Sequence, residues 1–186
     1  ADMSNSQAVL NALFCAVTPR TAGFNTTDIA SLSQSSQLLT IILMFIGGCP
    51  GSTAGGIKVT TIAVLILYLR SALTRTDGVN IFKRRLEDDA IPKAAAVFTT
   101  NLLLAAIATF LISMVQDLDL TTILFDVVSA VSTVGMSTGI TPSLVPAAKV
   151  ILTILMYLGR VGSLSFAMSF TDKKRLAHIR LPKEHI

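Results

Sequence analysis

The chain has 186 residues, 52% of them apolar and 14% charged, with no tryptophan and a net charge of +4. Charges this sparse cannot clothe a soluble globule of that length, so the composition points to a chain embedded in a lipid bilayer. The basic excess is local: Arg70, Arg75, Lys83, Arg84, Arg85 and Lys93 form one cluster, and Lys173, Lys174, Arg175, Arg180 and Lys183 another. Both flank apolar stretches without interleaved aromatics, which argues against nucleic-acid binding. By the positive-inside rule both lie on the cytoplasmic side.

Ala1-Asp2-Met3-Ser4-Asn5 lacks a basic region followed by an apolar core, so no signal peptide is read, and the chain is expected to begin part-way through a longer architecture. Residues 7–17 are apolar but well short of the about 20 helical residues that cross a bilayer. Thr18-Pro19-Arg20 breaks the helix, and residues 21–36 are polar and contain Gly23. A short helix with a polar return has the form of a re-entrant pore loop, tolerable in a bilayer only where it lines a water-filled path.

As one helix, residues 38–70 would run about 50 Å, beyond a hydrocarbon core of about 30 Å. The interruption is Gly47-Gly48-Cys49-Pro50-Gly51-Ser52-Thr53-Ala54-Gly55-Gly56-Ile57-Lys58, with five glycines and a proline. Each glycine costs a helix about 1 kcal/mol and proline about 3 kcal/mol, which predicts an intramembrane loop between half-helices 38–46 and 59–70. A phosphate-binding loop is the competing pattern, but Ile57 separates Gly56 from Lys58 and the required Gly-Lys-Ser/Thr is missing. Cys15 and Cys49 read as buried free thiols. His178 and His185 have no partners at ligand spacing, so no metal site is expected.

Residues 71–92 read as a cytoplasmic connection, and 94–115 as a spanning helix ended by Gln116-Asp117-Leu118-Asp119 on the outer side. Lys93 and the C-terminal basic cluster are both inside, and 94–115 plus 144–170 already supply two crossings. The segment between must therefore return to its own side, as a second pore helix at 120–132 followed by Ser132-Thr133-Val134-Gly135-Met136-Ser137-Thr138-Gly139-Ile140. Asn101, within the span, is expected to hydrogen-bond between helices.

The two returns match. Gly135 lies 112 positions after Gly23, and at that offset the run from Leu39 to Gly47 falls over Ile151 to Gly159 without a gap. Such an internal repeat predicts two copies of one unit: pore helix, polar return, inner helix. In a return loop the backbone carbonyls lack ladder partners and can replace a cation's hydration shell. Glycine permits the backbone conformations that aim them at one axis. The pore helix points its negative C-terminal end at the same place, which favours a cation.

On Arg20-Thr21-Ala22-Gly23-Phe24-Asn25-Thr26, the glycine-rich run 47–58, residues 132–139 and Gly159-Arg160-Val161-Gly162, the chain resembles the third and fourth repeats of the Trk/Ktr/HKT potassium-transporter superfamily. The tail is most similar to the Ktr-type membrane subunit. The resemblance implies an all-α membrane protein of helix, pore loop, helix repeats. Residues 1–70 would carry the loop and broken second helix of one repeat, 71–92 a connection, 93–170 a complete repeat and 171–186 a cytoplasmic tail.

It further implies that Thr21, Ala22, Gly23, Phe24 and Asn25 form one filter quarter and Thr133, Val134, Gly135, Met136 and Ser137 another. K+ would sit at Thr21, Ala22, Gly23, Thr133, Val134 and Gly135. Gly47, Gly48, Gly51, Ser52, Thr53, Ala54, Gly55, Gly56 and Lys58 would form a gate, with Arg160 beside it bonding its carbonyls. An arginine part-way along an apolar span is costly and faces a partner or water, which supports that placement independently. Arg20 and Asp126 would brace the filter, against each other or separately.

Implied partners are the missing N-terminal repeats of the same pore, a second copy in a homodimer, and a cytoplasmic nucleotide-binding regulatory ring. The resemblance implies K+ as the transported ion, with Na+ open because the first repeat's filter residue is absent; no covalently bound cofactor is expected. The expected localisation is the plasma membrane, multi-pass, with the C-terminus cytoplasmic. A non-conducting assembly half is the alternative. An enzyme is not expected, since no nucleophile with a base and no carboxylate pair is seen.

Overall fold

The computed structural model describes residues 4–52, 54–74, 79–81, 84–86 and 89–162. Local chemistry sets most helix ends. Helix α1 (Asn5–Val17) opens where the Gln7 Oε1 accepts from the Ser4 amide at 3.2 Å. Helix α2 (Gln34–Phe45) follows Ser33, whose hydroxyl accepts from the Ser36 amide. Helix α3 (Val59–Thr74) begins directly after Lys58, and helix α4 is Ala90–Val115. Helix α5 (Leu120–Val131) is capped by the Asp119 carboxylate, which accepts from the Thr121 amide at 3.1 Å. Helix α6 (Pro146–Val161) starts on a proline and stops at Gly162, whose φ is 92°.

Helix α4 starts four residues before the expected 94, because Pro92 falls in its first turn, where a missing N–H leaves no bond unmade. Its 26 residues make it the one helix among the described residues long and apolar enough to cross a membrane. The break expected in 38–70 is present, from the end of α2 at Phe45 to the start of α3 at Val59. The part of the expected 144–170 helix beyond 162 lies outside the described residues, as do Thr53, the tail 171–186 and its basic cluster. The connection after α3 contains a two-residue antiparallel ribbon, Asn80–Ile81 against Arg84–Arg85, a small exception to an otherwise helical chain.

Helix α5 is the centre, packed by α2, α4 and α6. Ile123, Phe125, Val127, Val128, Ala130 and Val131 are buried there, against Ile41 and Met44 of α2, Ala105, Ala108 and Ile112 of α4, and Ala148, Leu152 and Leu155 of α6. The alanines on α4 and α6 let the helices approach closely, as packing in lipid requires. Phe45 meets Phe98 edge-to-face at 5.9 Å, joining the end of α2 to α4. Helix α1, the counterpart of α5, buries none of its residues, and Val9, Leu10, Leu13 and Val17 are exposed.

Gln116 settles the course of the chain around α5. Its Oε1 accepts from the Val145 amide at 3.1 Å and its Nε2 donates to the Ser143 carbonyl at 3.3 Å. Residues 117–144 therefore leave and return at a single point, between the end of α4 and the start of α6. Asn101 is buried, and its Nδ2 donates to the Val97 carbonyl one turn earlier in its own helix. The cysteine expectation needs correcting. Both thiols are free, but Cys49 is exposed on the outer turn of the glycine-rich loop, and Cys15 is half-buried with its Sγ 3.5 Å from the Thr27 hydroxyl.

Candidate ion filter and gate

The two return loops repeat one backbone feature at aligned positions. Thr21 and Thr133, at φ 72° and 56°, are the only non-glycine residues with positive φ among the described residues; Gly23 and Gly135 follow at 75° and 87°. The left-handed region costs an L-residue about 1–2 kcal/mol, more so a β-branched one, and persists only where the surroundings dictate it. Here the ends of α1 and α5 do so. The Thr133 amide donates to the Ala130 carbonyl at 3.1 Å and the Val134 amide to the Ser129 carbonyl at 2.9 Å. In the other copy the amides of Ala22 and Gly23 both donate to the Thr18 carbonyl, and the Thr18 hydroxyl donates to the Phe24 carbonyl at 2.6 Å.

The loops meet at Gly23. A Cβ built there would lie 2.3 Å from the Val134 carbonyl oxygen, so only glycine admits this approach. Val134 and Met136 are buried at the junction, whereas Ala22, Phe24 and Asn25 are exposed. Behind the second loop, buried Asp126 gathers its return: one carboxylate oxygen accepts from the Thr138 amide at 3.1 Å and the Thr138 hydroxyl at 3.4 Å, the other from the hydroxyls of Ser137 at 3.0 Å and Thr141 at 3.1 Å. These partners belong to the same loop. Arg20 is exposed, and among the described residues no ion pair joins it to Asp126.

Residues 46–58 form a clasped loop. Ile46 and Ile57 pair as a parallel bridge, the Gly47 amide donates to the Ile57 carbonyl at 2.8 Å, and the Val59 amide donates to the Gly48 carbonyl at 3.2 Å. Gly51 and Gly56 take φ of 85° and 69°. Lys58 curls back over the loop, its Nζ donating to the Ser52 carbonyl at 3.2 Å and to the Ala54 carbonyl. Facing inward, the Gly55 amide donates to the Thr133 hydroxyl at 2.9 Å, and Gly56 lies against Ser132. Gly47 is buried against the Gly55 carbonyl, while Gly51 and Ser52 are exposed.

Arg160 is exposed near the end of α6 and lines, with Asp126, Thr133, Gly135 and Ser137, a cavity of about 490 Å³. Its neighbour Gly159 touches both the end of α5 and Thr133. Reading the sequence assigned Gly159 no role, although it falls 112 positions after Gly47 and so carried a signal. Thr18 was missed too; its signal was only that of a polar residue closing an apolar helix.

The profile described as "TrkH: Cation transport protein" matches residues 1–178. The chain is similar to the Ktr system potassium uptake protein B of Bacillus subtilis (strain 168), 39% identical over 169 residues, covering 91% of this chain and 38% of that protein. It is similar also to the potassium/sodium uptake protein NtpJ of Enterococcus hirae, 34% identical, covering 97% of this chain and 42% of that protein. In fold it is similar to the crystal structure of the potassium transporter TrkH from Vibrio parahaemolyticus, with a TM-score of 0.76 and 25% identity over 92% of this chain and 39% of that one. The chain thus spans about two fifths of the length of the relatives it matches. None of the three is named as an enzyme, and the all-α membrane class expected from the sequence stands. By the match along nearly its whole length, the chain belongs to the TrkH family of cation transport proteins.

Proposed function

We propose that this chain supplies two adjoining quarters of a monovalent-cation pore, with a filter at Thr21, Ala22, Gly23, Phe24 and Asn25 and at Thr133, Val134, Gly135, Met136 and Ser137. A gate at 47–58 lies beneath it, with Arg160 beside the gate. One observation carries the reading: two loops 112 positions apart hold a threonine and a glycine in the left-handed region and meet carbonyl to glycine. Strain reproduced at two aligned places supports a shared purpose, and the backbone carbonyls of such a return loop are a means of replacing a cation's water.

Potassium is the proposed ion, because relatives are named for potassium uptake; one named for potassium and sodium uptake keeps Na+ as a second cargo. The exposed apolar faces of α1 fit contact with further repeats of the same pore. The proposed domain plan is a third repeat over 1–70, a connection over 71–92, a fourth repeat over 93–170 and a cytoplasmic tail over 171–186. Proposed partners are a second copy of the subunit and a cytoplasmic nucleotide-binding ring, for which the basic inner clusters supply docking charge. Co-purification tests that assembly, and a monomer that ignores the ring protein would count against it.

Gly135→Ser in the full-length protein tests the filter. A Cβ at φ 87° disturbs the carbonyl geometry and should weaken the preference for K+ over Na+ in uptake. Unchanged relative uptake would instead favour a non-conducting, assembly role for this half.

A further inference from the structure

The filter loop and the gate loop share an atom. The Gly55 amide ends on Thr133 Oγ1 at 2.9 Å, across 78 residues of sequence, and the approach is tight enough that a Cβ on Gly55 would stand 2.5 Å from that oxygen. Gly55 is buried, so its N–H has no water to turn to. One residue earlier, the Ser132 hydroxyl is buried with no partner among the described residues, lying where a Cβ on Gly56 would touch it at 3.0 Å. The loop thus bonds the residue that follows the end of α5, and covers a second hydroxyl there without bonding it. In the first copy Thr21 has the same backbone, yet among the described residues its hydroxyl receives no such bond.

A threonine hydroxyl has two lone pairs and one proton. An amide N–H and a monovalent cation both draw on the same electron density, and a donor already in place weakens the oxygen as a cation ligand. We propose that Thr133 Oγ1 is a shared acceptor, taken by the Gly55 amide when the loop is seated and by the permeating cation when it withdraws. Cation occupancy at the inner end of the filter and closure of the loop then oppose each other. By linkage the opposition is reciprocal: the cation favours the withdrawn loop to the same degree that the seated loop disfavours the cation. The transported ion thereby acts on its own gate. This rests on reading 133–137 as filter and 47–58 as gate, and adds the coupling between them.

The test uses the full-length transporter in detergent, in KCl against N-methylglucamine chloride at equal ionic strength, with amide hydrogen exchange followed in the peptide containing Gly55 and K+ binding measured by calorimetry. K+ should speed exchange of that peptide about tenfold, as loss of one bond implies. Thr133→Ser, which keeps the hydroxyl, should preserve the response. Thr133→Val should exchange fast with or without K+. Exchange slowed or unchanged by K+ in a wild-type protein that binds K+ overturns the coupling while leaving the filter reading intact; no K+ binding at all overturns both. The wild-type comparison decides even if Thr133→Val fails to fold, and a folded Thr133→Val that exchanges as slowly as wild type also overturns the proposal.

Discussion

Gly159 and Val131 approach so closely that a Cβ built on Gly159 would lie 2.1 Å from the Val131 carbonyl oxygen and 3.2 Å from the Thr133 methyl group. Helix α6 is thereby pressed on the last turn of α5, where the proposed filter loop begins. Gly159→Ala must push the two helices apart, since the obstruction is backbone. Overpacking of this kind costs about 1–3 kcal/mol. The variant should melt earlier in detergent and select K+ less sharply; a Tm equal to that of the parent would refute the contact.

The two glycines of the proposed filter, Gly23 and Gly135, should not respond alike. Gly23 faces the Val134 carbonyl, whereas a Cβ at Gly135 meets nothing within 4 Å in this chain. Gly135→Ala then carries mainly the backbone cost of about 1–2 kcal/mol, and Gly23→Ala carries a clash besides. Folded yield and K+/Na+ uptake ratios should both rank Gly23→Ala below Gly135→Ala, and the reverse order would count against the meeting of the loops.

Asp126 can be dissected by its two oxygens. Asp126→Asn can keep an acceptor on the Thr138 amide while its new NH₂ donates to the Ser137 and Thr141 hydroxyls, which can turn to accept. Asp126→Ala leaves the half-buried Thr138 amide without its acceptor and the Ser137 and Thr141 hydroxyls with only each other, a loss of about 1–3 kcal/mol. Selectivity should therefore fall much further in Asp126→Ala than in Asp126→Asn. Equal losses would indicate that the charge, and not the bonding pattern, matters.

The gate reading makes a prediction of opposite sign from a structural kink. Lys58→Met removes the donor from the Ser52 and Ala54 carbonyls and should loosen the loop. Deleting several residues between Gly51 and Gly56, or Arg160→Ala, should act in the same direction. Ion flux per folded transporter should rise, and its dependence on the ring's ligand should weaken. A fall in all three, with ligand dependence intact, would sink the gating reading.

What could be read from the sequence was what periodicity and backbone chemistry impose. The offset of 112 aligns Thr21 with Thr133 and Gly23 with Gly135, and it also aligns the short 3-10 turns Ile29–Ser31 and Thr141–Ser143 and the starts of α2 and α6 at Gln34 and Pro146. The break between Phe45 and Val59 was legible because glycine and proline are costly in any helix. Partner choice was not. The reach of Asp126 to residues 137–141, the fold of Lys58 over its own loop and the exposure of Cys49 depend on how a turn closes in space, and neither spacing nor composition encodes that. Fastening also differs between the copies: where one uses Asp126, the aligned position in the other is Phe14, and Thr18 ties the loop instead.

The surroundings of α5 bear on the order in which the chain is made. Its neighbours are α2 and α4, which precede it, and α6, which follows. A nascent chain that has just released α5 holds two of its three walls, and the side that α6 will close, through Ala148, Leu152 and Leu155, is still bare. Native packing around the loop 132–140 must then wait for synthesis of the last described helix, and a chain arrested near residue 145 would present the apolar flank of α5 to whatever machinery inserts it.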